Sequence, residues 1–419
     1  MSGIFKKNLR LTHAGAFIQI LSGFSFVLIG NTIFTNQDFV ILASIRATAT
    51  ILIPFFLIGS QLVLIKYCEH KQIDNFVASL LLFNFSSTFF SYICLEITGI
   101  KIFLPIMYAS CLSLLNLIEY RARSLQKLFL TFMIKGPTHL ILTLLSFLIA
   151  FWGHKFISYS VMELYIFTFA SLTAVICFLL ILLIRGIKPT MLNEKFTVEL
   201  FQQGIGRIPI AFLRSSFFNA PILIAAWKLS PEDAAGVVIG SMVFRLVSSI
   251  GSSLSPALIQ NIRKTSVEKL NDVISASSLY FTKTLVFMTV LFICIDILFG
   301  DSEFIPLTMS EILSGHIYFS GGICMAYFAL ARSIIEAKAK NLVMFLVMVI
   351  SNIAMYSVLL LANYIDYKID WGFLILLVGI FSFIQSTTIM RLALGIHFTR
   401  ELYFPLLGII SILVLVGLY

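Results

Sequence analysis

Three arginines, Arg46, Arg214 and Arg245, lie inside long apolar runs of this sequence. Arginine is always protonated, and its planar guanidinium binds phosphate or carboxylate through paired hydrogen bonds. A guanidinium near the middle of a bilayer costs roughly 2.5–3.5 kcal/mol on insertion scales, and such residues almost always face protein or a wet cavity. The three arginines therefore predict a cationic cavity that binds an anionic group. The structural alternative is that each one joins helices by binding backbone carbonyls or a Glu.

Other polar side chains lie in the same apolar runs. Asn219 belongs to a polar patch beside the second arginine, which favours a wet setting. His316 and His139 titrate near neutral pH and are candidates for proton coupling, although a lone histidine in a helix is more often structural. Lys135 and Lys283 lie near the cytoplasmic ends of their runs, where the side chain can extend to the membrane surface instead. The predicted substrate-binding residues are Arg46, Arg214, Arg245, Asn219 and His316, with Lys135, Lys283 and His139 as weaker candidates.

No catalytic or metal motif is visible in the sequence. It has no nucleophile elbow, Walker sequence, HExxH or Gly-rich phosphate loop. The six cysteines show no paired spacing, so neither a disulfide framework nor a metal site is expected. We therefore expect a transporter and not an enzyme, with no cofactor and with H⁺ and Na⁺ both open as the coupling ion.

The acidic residues of the apolar runs avoid the centre of the membrane. Because a cationic drug and its coupling ion need an interior carboxylate, this placement favours an anionic substrate. The acids predicted in the outer thirds of the spans are Glu96, Glu163, Asp296 and Glu311.

Composition indicates an integral membrane protein. The 419 residues are 59% hydrophobic and only 12% charged, with a mean hydropathy of +1.00, whereas a soluble domain has about 25% charged residues. The formal net charge is +9, but the basic residues lie in short loops between apolar runs. Their role is topological, and no nucleic-acid partner is expected.

The apolar runs predict an all-α integral membrane fold with twelve transmembrane helices in two six-helix lobes around a central cavity. Residues 403–418 are either a short thirteenth span or an interfacial segment. The predicted spans are 13–34, 39–65, 75–98, 101–119, 128–152, 160–184, 205–227, 234–259, 274–299, 305–331, 341–363 and 371–392.

A basic linker in the middle of the chain separates the predicted lobes. Its end looks like a short interfacial helix with Phe196, Leu200 and Phe201 on the apolar side. The predicted divisions are an N-terminal lobe at 1–184, a cytoplasmic linker at 185–203, a C-terminal lobe at 204–392 and a C-terminal segment at 393–419.

The positive charges predict the orientation. Nineteen Lys and Arg residues fall in one set of loops and four in the opposite set, alternating through the chain. Because cytoplasmic loops carry the excess of positive charge, the N-terminus is predicted to be cytoplasmic. The N-terminal apolar run follows basic residues as a signal peptide would, but it has no small-residue cleavage site and is taken as the first span.

The eighth predicted span has the most informative layout. An acidic Pro turn at 231–233 precedes a helix rich in Gly and Ser, Arg245 lies about halfway along it, and Pro256, Arg263 and Lys264 follow. Span two repeats this order loosely, with Asp38 before Arg46. Such an internal repeat is typical of two-lobed transporters that bind substrate between the lobes.

This layout resembles the eighth span of Wzx-type O-antigen flippases of the multidrug/oligosaccharidyl-lipid/polysaccharide (MOP) superfamily. The agreement extends to the span count, the placement of charge and the basic linker. The resemblance implies a flippase of the bacterial inner membrane that moves undecaprenyl-pyrophosphate-linked O-antigen units from the cytoplasmic to the periplasmic leaflet by alternating access. It also implies that arginines bind the pyrophosphate or an acidic sugar. Membrane lipids, the O-antigen polymerase and its chain-length regulator are the implied partners.

Two other functions are compatible with a chain of this size and hydrophobicity. An O-antigen polymerase should have one large periplasmic loop, whereas every predicted outside loop here is short. A multidrug antiporter of the same fold should have interior acids, which the predicted spans lack.

Overall fold

The computed structural model describes residues 3–60, 63–64, 73–125, 127–156, 160–184, 194–264, 282–287, 289–290, 293, 309–338, 341–364 and 371–394. All regular secondary structure in these ranges is helical. Ten of the described helical stretches are long and apolar enough to cross a membrane. The all-α membrane fold predicted from the apolar runs is confirmed, and the chain is a multi-pass membrane protein.

The chain divides into two compact units, Met1–Ala235 and Gly236–Tyr419. In the first unit, a π-helical turn, Ile134–Thr138, joins two helices into one span. The first unit contains α1 (Gly3–Ile33), α2 (Asn36–Phe56), α3 (Ile73–Thr98), α4 (Phe103–Ser124), α5 (Leu128–Met133), α6 (His139–Gly153), α7 (Val161–Ile184), α8 (Glu194–Ile205) and α9 (Ile208–Lys228). Helix α10 (Pro231–Lys264) begins at the end of this unit, and the second unit continues with α11 (Met309–Lys338), α12 (Asn341–Tyr364) and α13 (Trp371–Leu394).

Most predicted spans match described helices to within a few residues at each end. The exceptions are a longer α1 at its start, a shorter α2 at its end, and longer α4, α10 and α11 at their ends. Helix α8 lies where the linker was predicted to be helical, and its interfacial position and the lobe boundaries drawn from the linker stay predictions. The predicted span 274–299 lies mostly outside the described residues, and 403–418 lies wholly outside them.

The acidic turns before spans two and eight are helix caps. The Thr35 hydroxyl accepts a hydrogen bond from the backbone N–H of Asp38 at 3.2 Å and starts α2. The Ser230 hydroxyl accepts the equivalent bond from Asp233 at 3.2 Å and starts α10. A Ser or Thr followed three residues later by an acid satisfies backbone donors at a helix start. The similarity of the two turns therefore has a local structural cause.

Lysine and tryptophan side chains mark the ends of two helices. The Lys228 ammonium lies 3.6 Å from the ring centre of Trp227, and the Lys155 ammonium lies 5.2 Å from that of Trp152. Both tryptophans are exposed. Tryptophan and lysine concentrate where a bilayer meets water, so these pairs fit the ends predicted for spans five and seven.

Helices α10 and α11 approach each other through glycines in the second unit. A Cβ added to Gly251 would overlap the carbonyl oxygen of Ala326 and lie 2.8 Å from its Cα. A Cβ on Gly322 would lie 2.7 Å from Val247 Cβ. Small residues of this kind allow two backbones to approach in a membrane, where packing holds helices together.

Gly251→Ala should therefore destabilise the protein. We expect it to lower the free energy of unfolding by about 1–3 kcal/mol, because the added methyl group has only backbone to displace. The matched control is Gly236→Ala in the same helix, where an added Cβ meets nothing within 4 Å. The control should be neutral or stabilising by up to about 1 kcal/mol, because alanine favours the helix. Equal thermal unfolding of the two variants in detergent would contradict the close approach.

Candidate functional site

Arg46 lies near the middle of α2, and its guanidinium is placed inside the first unit. The guanidinium carbon lies 4.3 Å from the centre of the Phe26 ring on α1. Phe26 is fully buried and Arg46 is partly buried. An arginine over an aromatic face is stabilised by the ring quadrupole, the more so where water is excluded. The ring therefore holds the cation without neutralising it.

More aromatic rings surround this contact. Phe26 lies 5.9 Å from Phe147 and 6.1 Å from Tyr165 between ring centres. Tyr108 stacks on Phe169 at 4.7 Å, and Phe169 lies 6.2 Å from Tyr165. All five rings are buried, and they come from α1, α4, α6 and α7. We call Arg46 and these five rings the Arg46 cluster.

The cluster contains polar atoms that the described side chains leave unsatisfied. The Nη1 atom of Arg46 is buried without a hydrogen-bond partner, and within the described ranges no ion pair involves this residue. The Tyr165 hydroxyl is also buried without a partner at hydrogen-bonding geometry, although the hydroxyls of Tyr108 and Thr143 lie nearby. The charge of Arg46 acts on both phenols. Buried unsatisfied donors are costly, so a bound acceptor would stabilise this arrangement.

A second group of charges lies at the π-helical turn. Lys135 is within the turn and His139 follows it, both partly buried. Glu119 on α4 is 8% exposed. The charges of Glu119, Arg46 and Lys135 all act on His139. π-Helical turns occur often at functional sites, and this one carries Lys135 with His139 directly after it.

Arg214 and Asn219 lie on α9, which packs against α2 in the same unit. The Phe212 and Phe55 rings meet edge to face at 5.7 Å. Arg214 is partly buried, whereas Asn219 is fully buried and donates to the Ser215 carbonyl at 2.6 Å. Asn219 therefore has a structural contact with its own helix.

The remaining predicted residues lie in the second unit. Arg245 on α10 is partly buried, and its carbonyl accepts a hydrogen bond from the Ser248 hydroxyl at 2.8 Å. His316 on α11 is 1% exposed, and its carbonyl accepts a bond from Ser320. The Lys283 side chain is exposed. Arg46, Lys135 and His139 all lie in the first unit, where the charges of Arg46 and Lys135 act on His139. A joint role of Arg46 with Arg245 stays a prediction.

Sequence reasoning missed several buried groups. Tyr108 and Tyr165 carried no signal because aromatic residues occur throughout the chain. Arg121 and Arg332 are among the nineteen cations that the charge count places in loops on one side, but they lie in helices and are 3% and 1% exposed. The apolar residues on both sides of Arg332 were the available signal. Glu119 is the last residue of the predicted span 101–119, but in the structure it lies inside α4.

Within the described ranges, no three side chains of His, Cys, Asp or Glu come together as a metal site would require. The site is therefore described by its cations, phenols and one buried carboxylate.

Comparison with known proteins shows the fold. No protein-family model matches the chain, and no curated protein matches it. The crystal structure of the eukaryotic MATE transporter AtDTX14 has a TM-score of 0.59 at 13% identity, over 98% of this chain and 100% of that one. A point mutant of the Vibrio cholerae MATE transporter VcmN has a TM-score of 0.53 at 12% identity, over 96% and 98%. A MATE protein in complex with Br-NRF has a TM-score of 0.52 at 9% identity, over 94% and 96%.

The chain therefore has the all-helical fold of MATE transporters. AtDTX14 and VcmN are transporters, so the shared fold is compatible with the transporter predicted for this chain. At these identities the likeness extends to the fold alone.

Proposed function

We propose that this protein is a MOP-superfamily transporter that flips undecaprenyl-pyrophosphate-linked O-antigen units from the cytoplasmic to the periplasmic leaflet of a bacterial inner membrane. The observation that carries the proposal is the Arg46 guanidinium, held over an aromatic ring with a buried Nη1 atom that has no hydrogen-bond partner among the described residues. A diphosphate offers several charged oxygens to such a donor, and charge-assisted hydrogen bonds to arginine are among the strongest in proteins. The transporter fold supplies the setting for this chemistry.

In this proposal, Arg46 binds the headgroup of the substrate while the transporter works by alternating access. Arg46 and the neighbouring phenols bind the headgroup, and Arg214, Arg245 and His316 contribute further polar contacts as the glycan crosses. The lipid tail stays in the bilayer, so the protein moves only the polar group. We also propose the O-antigen polymerase and its chain-length regulator as protein partners. The proposed coupling ion is H⁺ or Na⁺.

Multidrug antiport is the second candidate, and one observation favours it. Glu119 is a buried carboxylate in the first unit, and such a group can bind an organic cation or a coupling proton. Lys135, however, acts on the same region, as does Arg46. The local excess of positive charge favours an anionic substrate over a cationic one. The fold gives no support to the polymerase alternative.

Two experiments separate these functions. Deletion of the gene should trap lipid-linked single repeat units in the cytoplasmic leaflet, whereas single units on the outer core would indicate a polymerase. In proteoliposomes, the purified protein should move a fluorescent undecaprenyl-pyrophosphate glycan and should not extrude ethidium. Ethidium extrusion without glycan movement would overturn the proposal in favour of the multidrug antiporter.

Tyr165→Phe tests the contribution of the phenols. We expect glycan flipping to slow by roughly three- to tenfold, since a neutral hydrogen bond contributes about 0.5–1.5 kcal/mol. Thermal stability should change by less than about 1 kcal/mol, because the lost hydroxyl has no partner at full hydrogen-bonding geometry among the described residues and only the Tyr108 and Thr143 hydroxyls lie nearby. Tyr327→Phe is the matched control for stability. Its hydroxyl lies 3.0 Å from the Thr282 hydroxyl, so its loss should cost about 1 kcal/mol. Unchanged flipping by Tyr165→Phe would remove the phenol from the site.

A further inference from the structure

The helix that carries Arg46 is interrupted near its end. Span two was predicted to run unbroken over 39–65, but α2 ends at Phe56 and helix resumes only at Ser60. Between them, Ile58 has φ +48° and Gly59 has φ +58°. The left-handed region suits glycine, but it is costly for a β-branched residue such as isoleucine. The break therefore stores strain at Ile58.

The break is nevertheless a defined conformation with satisfied backbone groups. The N–H of Ile58 donates to the Phe55 carbonyl at 3.1 Å, and that of Gly59 donates to the Pro54 carbonyl at 3.1 Å. The N–H of Ser60 donates to the Leu57 carbonyl at 2.9 Å. Pro54 has no N–H to continue the helical ladder, which weakens α2 just before the turn.

The linker helix α8 packs directly on this break. A Cβ added to Gly204 would overlap the Ile58 carbonyl oxygen, and one added to Gly59 would overlap the Gly204 carbonyl oxygen. Contact between two backbones at this distance requires glycine on both sides. The ring of Phe201 on α8 meets Phe76 on α3 edge to face at 4.8 Å, which fixes the position of α8.

We propose that Ile58 and Gly59 form a hinge at which α2 bends and straightens, and that α8 holds the bent form through Gly204. Strain at Ile58 favours the straight helix, whereas the contact with α8 favours the bent one. Because the strain and the contact with α8 oppose each other at one short segment, the segment has two alternative conformations, bent and straight. Movement of α8 then changes the direction of α2, the helix that carries Arg46. The proposal rests on the proposed function only for what the movement accomplishes.

Two substitutions should shift the hinge in opposite directions. Ile58→Gly removes the left-handed strain and should favour the bent form by roughly fivefold or more. Gly59→Ala adds strain and a clash with Gly204, and it should favour the straight form.

The bend can be measured as the distance between two spin labels, one at Ile41 on α2 and one at Val198 on α8. Both positions are exposed, and the native cysteines are replaced so that only these two sites are labelled. Two distance populations are expected, with their ratio moving oppositely in the two variants. A single distance, unchanged in both, would overturn the hinge.

Transport measurements then separate the hinge from the binding site. Both variants should slow glycan flipping several-fold, while binding of the glycan at Arg46 is retained. Gly206→Ala is the matched control, because an added Cβ there lies 3.7 Å or more from its nearest atoms. This control should keep both the distance populations and the flipping rate. If the populations shift and flipping does not change, the hinge has no part in turnover. If Gly59→Ala does not fold, the distance populations of Ile58→Gly test the hinge by themselves, because this substitution adds no atoms to the contact with α8.

Discussion

Arg46→Ala is expected to slow flipping of the lipid-linked glycan by roughly tenfold to a hundredfold. A charge-assisted hydrogen bond contributes about 1.5–3 kcal/mol, and Arg46 is placed to donate more than one. The rate is measured in proteoliposomes as the loss of protected fluorescent glycan, and in cells as O-antigen at the surface.

Arg46→Lys distinguishes geometry from charge. Lysine keeps the positive charge but loses the planar fork and much of the stacking on the Phe26 ring. We expect it to recover only a small part of the activity. Full recovery would show that any cation suffices at this position.

The Arg46 variants should keep the fold. The guanidinium makes no ion pair with a described carboxylate, so its removal leaves no buried countercharge behind. Lys155→Ala is a suitable control, because it removes a cation from the exposed end of α6 and touches none of the cluster. If Arg46→Ala flipped the glycan at the wild-type rate, with equal amounts of protein in the membrane, Arg46 would not be part of the binding site.

The membrane spans could be predicted because their signal is local. A run of about twenty apolar residues is long enough to cross a bilayer whatever its neighbours are. The caps at Thr35 and Ser230 also depend only on residues three positions apart. For the same reason, an arginine inside such a run could be identified as a candidate at once.

The surroundings of that arginine could not be predicted. Phe26, Tyr108 and Tyr165 come from three different helices, and no spacing in the sequence relates them. The break at Gly59 depends on Gly204, which is distant in the chain and contacts it through backbone atoms. Counting charges also placed Arg121 in a loop, because the end of an apolar run does not show where a helix ends.

Asp74 forms an ion pair whose loss should destabilise the protein strongly. Its carboxylate pairs with the Arg121 guanidinium, and the two side chains are 13% and 4% exposed. The pair joins the first turn of α3 to the last turns of α4. Removing one partner of a buried pair costs about 3–5 kcal/mol, because a charge is left in an apolar setting.

We therefore expect Asp74→Ala to lower the free energy of unfolding by about 3 kcal/mol, the remaining contacts of Arg121 moderating the loss. Thermal unfolding in detergent measures it. Asp233→Ala, which removes an exposed carboxylate from the first turn of α10, should cost about 1 kcal/mol or less. The double variant Asp74→Ala with Arg121→Leu should be more stable than Asp74→Ala alone, because no charge remains buried. If the double variant were the less stable, Arg121 would contribute more through its other contacts than through Asp74.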